Sequence, residues 1–262
     1  MMFLPTLLYG AQTWTNFTAE DSKQIKTIQL KFLKRILRVP ASACNAVVFL
    51  ELGVLPALWE IHIMKLTFLH HILTLEDDDP VKLMYQEQLK IPHEKNWANE
   101  VAELRSIYLI LDSDEEIAAV SKEEWKAEVH NIVKTQAVVN LNEEKNALTK
   151  SSVYPDAENL KTSKYLSFFT VSNACLLFRV RCRIVDTKDL HQYKYGDDKV
   201  CRCCGVSDET LAHVLGECPA LTSQRCAVGD EFSDDLGVLE KVVLRVQEFV
   251  DIVEEETAAE EE

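Results

Sequence analysis

Apolar residues recur at three- and four-residue steps along much of this 262-residue chain, and that spacing predicts helices rather than strands. Over 18–38, Ile25, Ile28, Phe32, Leu33 and Ile36 mark one buried face; Thr18 and Asp21 approximate a capping box at its start, and Pro40 ends it. A shorter helix is expected over 42–52, closing at Gly53. Pro56 then starts one that runs to about Leu75, with Ile61, Met64, Phe68 and Ile72 inward. Asp77, Asp78 and Asp79 before Pro80 read as the acidic start of a helix over 81–90, since three consecutive carboxylates splay rather than converge on a metal. Helices are also predicted over 97–111 and 122–147, the second opened by Ser121 and Glu124 and buried along Trp125, Val129, Ile132 and Val133.

Residues 149–163 carry Ser, Pro, Asp and Asn without periodicity and read as a linker. Beyond it, 164–185 is expected to be helical, with Leu176, Leu177, Val180 and Ile184 as its inner stripe. Val238, Leu239, Val242, Val243, Val246, Phe249, Val250 and Val253 give a strong amphipathic helix that runs into an acidic tail. The fold class that follows is mainly α-helical, in helical lobes with a small metal module near the C-terminus. The expected divisions are 1–75, 76–148, the linker 149–163, 164–200, 201–225 and 226–262. His70 and His71 point about 100° apart on their helix and read as surface or satisfied core residues rather than ligands.

The metal module rests on the segment CRCCGVSDETLAHVLGEC. Cys201-x2-Cys204 followed by x8-His213-x4-Cys218 supplies four soft or borderline donors at the spacing of a one-zinc site. Gly205 relieves crowding in the knuckle, a short helix is expected over 207–215 with Ser207 or Asp208 as its cap, and the chain must leave that helix near Gly216 to return Cys218 to the metal. Cys203 and Cys226 are alternative donors, and a disulfide or unbonded buried thiols are the competing readings. Four protein ligands leave no open position, so one zinc ion here would be structural rather than catalytic.

The formal net charge is −15, unevenly distributed: residues 1–75 carry +3, 76–163 carry −9, 164–204 carry +4 and 205–262 carry −13. The basic charge is therefore local. Lys31, Lys34, Arg35 and Arg38 cluster on the 18–38 helix, as a stripe able to follow phosphates or as a solvated face favoured by the helix dipole. Arg179, Arg181 and Arg183 alternate, so on a helix they spread over about 200° and cannot all meet one strand. Lys199 and Arg202 would add local grip beside the metal. Eight cysteines without an orderly disulfide framework suggest a reducing, intracellular compartment. The opening MMFLPTLL lacks a basic flank and does not read as a signal peptide. No run approaches the roughly 18 apolar residues of a membrane span.

LLFRVRCRIVDTKDLHQYKYGDDKVCRCCG with ETLAHVLGECP resembles the C-terminal tail of reverse transcriptases from non-LTR (LINE-type) retrotransposons. LPTLLYGAQTW at 4–14 resembles the segment after their catalytic palm, QLKFLKRILRVP their thumb, and LELGVLPALWEIHIMKLTFLHHIL their connecting region. The resemblance covers 4–75 and 164–225. It implies a non-catalytic C-terminal portion that grips template RNA or target DNA, with modest affinity for RNA or single-stranded DNA and an upstream polymerase domain as a partner.

Tyr195-Gly196-Asp197-Asp198 imitates the magnesium-binding hairpin of such polymerases, yet the preceding DLHQYK is too polar for a buried palm strand and no third carboxylate is offered. It reads as a turn. Nuclease carboxylates at the family's spacing are missing after Cys218, so neither polymerase nor nuclease activity is expected. The alternative reading is a helical protein-interaction module held by structural zinc, with no nucleic-acid role.

Overall fold

Thr18 opens the first long helix as a capping residue: its Oγ1 accepts from the Asp21 backbone N–H at 3.1 Å while the Asp21 carboxylate accepts from the Thr18 N–H at 2.9 Å. The structure is a computed structural model that describes residues 3–91, 95–148 and 153–260. The described residues are 62% helical, and the one β feature among them is an isolated antiparallel bridge between Val200 and Asp208. The helices are α1 (Phe3–Leu7), α2 (Ala19–Ile36), α3 (Asn45–Leu52), α4 (Ala57–Leu73), α5 (Pro80–Leu89) and α6 (Trp97–Ile107). They continue with α7 (Asp114–Ala119), α8 (Lys122–Asn146), α9 (Tyr165–Phe168), α10 (Val171–Arg181), α11 (Gln192–Tyr195) and α12 (Leu236–Glu260).

Two units form, neither of them one continuous stretch of chain. The first comprises Met1–Phe32, Gly53–Glu143 and Ala157–Lys161; the second comprises Leu33–Leu52, Glu144–Asp156 and Thr162–Glu262. In the first, α4 is the central helix, and its burial extends beyond the expected stripe: Ile61 and Ile72 are buried, Met64 and Phe68 are half-buried, and Ile63, Leu66 and Leu69 are also enclosed. Wrapping by several neighbours explains why a single-face pattern underestimates it. Trp125 on α8 donates its Nε1–H to Leu66 O at 2.9 Å, and His70 is a satisfied core residue whose Nε2 lies 2.9 Å from Val120 O. Gln29, fully buried, clasps the start of α4 by donating to Leu55 O at 3.0 Å and accepting from the Ala57 N–H at 2.8 Å. The Asp79 cap on Val81 N–H, at 2.8 Å, and the Ser121 with Glu124 box form as expected.

In the second unit α10, α12 and the segment bearing the cysteines share one core, built from Leu177, Val180, Leu211, Val214, Leu215, Leu239, Val242, Val243, Val246 and Phe249 with Cys201 and Cys218. The expected helix over 164–185 is instead broken in two. Phe169 leaves the helix, Thr170 caps α10 by accepting from the Asn173 N–H at 3.4 Å, and Arg183 turns to a φ of +55° just after α10 ends. Linker residues 149–152 lie outside the described residues. The rest of that stretch is held down: the Ser163 N–H donates to Glu51 O at 3.0 Å and Tyr154 is buried.

Candidate metal centre

Cys201 enters the site on the short bridge. Its N–H donates to Ser207 O at 2.7 Å and the Glu209 N–H donates to Lys199 O at 2.6 Å, so 207–209 runs extended. The helix expected from Ser207 therefore begins later. Thr210 is its cap, accepting from the His213 N–H at 3.0 Å through Oγ1 and from the Val214 N–H at 3.0 Å through its carbonyl. Between Cys201 and Ser207 the chain makes a tight turn closed by Gly205 N–H to Cys201 O at 2.8 Å. Gly205 sits at φ +66° with nothing near the position of an added Cβ, so it answers a left-handed backbone rather than crowding.

His213–Glu217 forms a π turn, closed by the Cys218 N–H on His213 O at 2.8 Å. That wider turn carries the fifth residue back over the first, so Cys218 returns toward His213 without the expected break at Gly216. Gly216 has a different task. A Cβ there would meet the Cys226 carbonyl oxygen at 3.0 Å, and the neighbouring Cys226 N–H donates to Leu215 O at 2.9 Å.

The result is a converged set: one donor atom from each of Cys201, Cys204, His213 and Cys218 lies within 4.8 Å of the others, and these four could hold one metal ion. Cys201 Sγ is 4.0 Å from Cys218 Sγ, and Cys204 Sγ is 3.4 Å from His213 Nε2. Cys201, His213 and Cys218 are buried, and Cys204 is half-buried. His213 Nδ1 lies 3.8 Å from the Glu217 carboxylate, beyond hydrogen-bond reach, and has no hydrogen-bond partner among the described residues. Burial works against ionising the Cys204 thiol, but backbone N–H groups of Ser207 and Val206, with His213 and Cys201, outweigh it and bring it down to about 6. For Cys201 burial prevails, pushing the thiol up to about 11 despite the N–H groups of Cys204 and Cys203. Donors aimed at both knuckle sulfurs suit thiolates that bind a cation. Cys203 and Cys226, the expected alternatives, stand outside the converged set.

The basic residues part company. Lys34 is buried and donates to Ala41 O and Ala43 O at 2.6 Å each. Arg181 pairs with the fully buried Glu51 at 3.0 Å, beneath the rings of Tyr154, Tyr165 and Phe232; Arg183 pairs with the buried Glu231 at 2.9 Å. Arg202 grips the buried Glu209 at 2.6 Å and donates to Tyr195 Oη at 2.9 Å. These four are corrections to the expected phosphate contacts, because an internal partner already holds each cation. Lys31, Arg35, Arg38, Arg179 and Lys199 remain exposed. Arg179, on α10, donates from Nη2 to Arg38 O at 2.7 Å, across 141 residues of sequence. The Asp198 carboxylate pairs with Lys188 at 2.6 Å on a surface turn in which Gly196 has φ +60°.

Sequence reasoning passed over Arg245 and Glu209, both fully buried or nearly so against the metal segment. For Arg245 the signal was present: it lies three residues after Val242 and four before Phe249, inside the apolar stripe of α12. Comparison with known protein families, characterised proteins and solved structures finds no match to this chain.

Proposed function

We propose that Cys201, Cys204, His213 and Cys218 hold one structural Zn2+, and that the chain is the non-catalytic C-terminal portion of a non-LTR retrotransposon reverse transcriptase, binding RNA or single-stranded DNA. The donor set favours zinc. Bonds of about 2.3 Å to sulfur and about 2.0–2.1 Å to nitrogen place tetrahedral S···S edges near 3.8 Å and S···N edges near 3.6 Å. The separations of 4.0 and 3.4 Å need little adjustment to reach them. A full set of protein ligands makes the ion a fold-holding element.

The nucleic-acid reading is carried by the bond between Arg179 and Arg38, which joins two basic segments distant in sequence into one exposed cationic surface. Arg35, exposed in the last turn of α2, lies three residues before Arg38 in the same unit. Neither Arg38 nor Arg179 has an ion-pair partner among the described residues, so their charge is available to phosphate. Three such contacts, from Arg35, Arg38 and Arg179, give a slope of about −2 in log K against log salt for single strands. Fluorescence anisotropy of a labelled single-stranded RNA across a salt series tests this. Arg38→Ala with Arg179→Ala should reduce the magnitude of the slope by about 1.4, whereas no binding at low salt defeats the reading. That second outcome would favour the protein-interaction module, which the net charge of −15 and the internal pairing of Arg181, Arg183 and Arg202 support.

A further inference from the structure

Arg245 is fully buried, on the inner face of α12, and no carboxylate among the described residues pairs with it. Its guanidinium instead donates to four backbone carbonyls: Nε to Val214 at 2.9 Å, Nη1 to Leu221 at 2.7 Å and Ser223 at 2.9 Å, and Nη2 to Cys218 at 2.8 Å. Two of these belong to the metal segment itself, since Val214 follows the ligand His213 and Cys218 is a ligand. A buried cation satisfied only by neutral dipoles is costly unless negative charge lies nearby. A divalent ion on three thiolates and a neutral imidazole leaves the centre with a net charge of −1.

We infer that Arg245 is a positioning residue of the metal centre: it fixes the π turn that presents His213 and Cys218, and its charge complements the anionic ion-thiolate cluster. The metal-holding unit then includes α12 and does not end with the knuckle. The inference rests on the zinc reading above and extends it to a residue 27 positions beyond the last ligand. A guanidinium suits this place because its planar fork reaches several carbonyls at once, which a lysine ammonium on a single stem does not.

Arg245→Met keeps the bulk and removes the charge, Arg245→Lys keeps the charge and loses the fork, and Leu244→Ala changes an exposed neighbour on the same helix. Each variant is loaded with Zn2+ and challenged with a chromophoric chelator, then melted in the loaded state and after stripping with EDTA. Arg245→Met should transfer Zn2+ at least tenfold faster than the wild-type chain and lose far more melting temperature when loaded than when stripped. Arg245→Lys should fall between, and Leu244→Ala should match the wild type. Equal losses in both states with a wild-type transfer rate would make Arg245 a packing residue only. Should Arg245→Met not fold, a wild-type transfer rate in Arg245→Lys overturns the inference by itself. A wild-type chain that takes up no Zn2+ counts against the metal reading and this one together; a loaded chain without the coupling counts against this one alone.

Discussion

At the residue scale the four candidate ligands and the candidate phosphate contacts differ in how far they could be read from sequence. Cys201, Cys204, His213 and Cys218 fall within 18 consecutive residues, so local geometry alone brings them together, and spacing is a sufficient guide. Arg181 meets its partner Glu51 only through tertiary packing, and nothing near Arg181 in sequence announces a fully buried carboxylate on α3. Breaking such a pair leaves an uncompensated buried charge, and Arg181→Ala should destabilise the second unit by about 3–5 kcal/mol while leaving the salt slope of RNA binding unchanged. Urea unfolding and anisotropy on the same variant check both halves. A milder loss together with weaker RNA binding would show the guanidinium reaching phosphate after all.

At the element scale, helices opened by side-chain caps were legible: Thr18, Asp79 and Ser121 each start a helix within a residue or two of expectation. The Ser113 and Glu116 box that starts α7 follows the same rule, but six residues carry too little periodicity to stand out. The π turn could not be anticipated from α-helical periodicity, which places residues 213 and 218 on different faces. Next to it, α12 steadies the following loop through Glu248, which accepts from the backbone N–H and hydroxyl groups of both Thr222 and Ser223. Partial burial opposes its ionisation, but the Ser223 and Thr222 donors prevail and bring its carboxyl down to about 2. A carboxyl lowered on folding contributes stability that is present above its unfolded value near 4.5 and is lost as pH falls through the folded value. Glu248→Gln should therefore be less stable than the wild-type chain at pH 6, with the gap narrowing at pH 3. Urea midpoints at the two pH values measure it, and a constant gap would mean that the carboxylate's charge contributes nothing.

At the scale of the whole molecule, the mainly helical fold followed from periodicity, whereas the two units did not, because each gathers stretches separated in the sequence. The linker expected over 149–163 illustrates the difficulty: composition marks it as irregular, but irregular chain can still be pinned, as Lys145 donating to Tyr154 O and Asp156 shows. Among the described residues no single helix is long and apolar enough to cross a membrane. The proposed metal ion would tie the bridge, the π turn and, through Arg245, the last helix into one core. Native mass spectrometry of the intact chain tests that claim most directly. One Zn2+ per chain is expected, retained in Cys203→Ser and Cys226→Ser but lost in Cys201→Ser, Cys204→Ser, His213→Ala and Cys218→Ser, with local unfolding on the scale of the roughly 10–16 kcal/mol that structural zinc supplies. A chain that carries no metal, or one that keeps it without Cys201 and loses it without Cys203, would contradict the account.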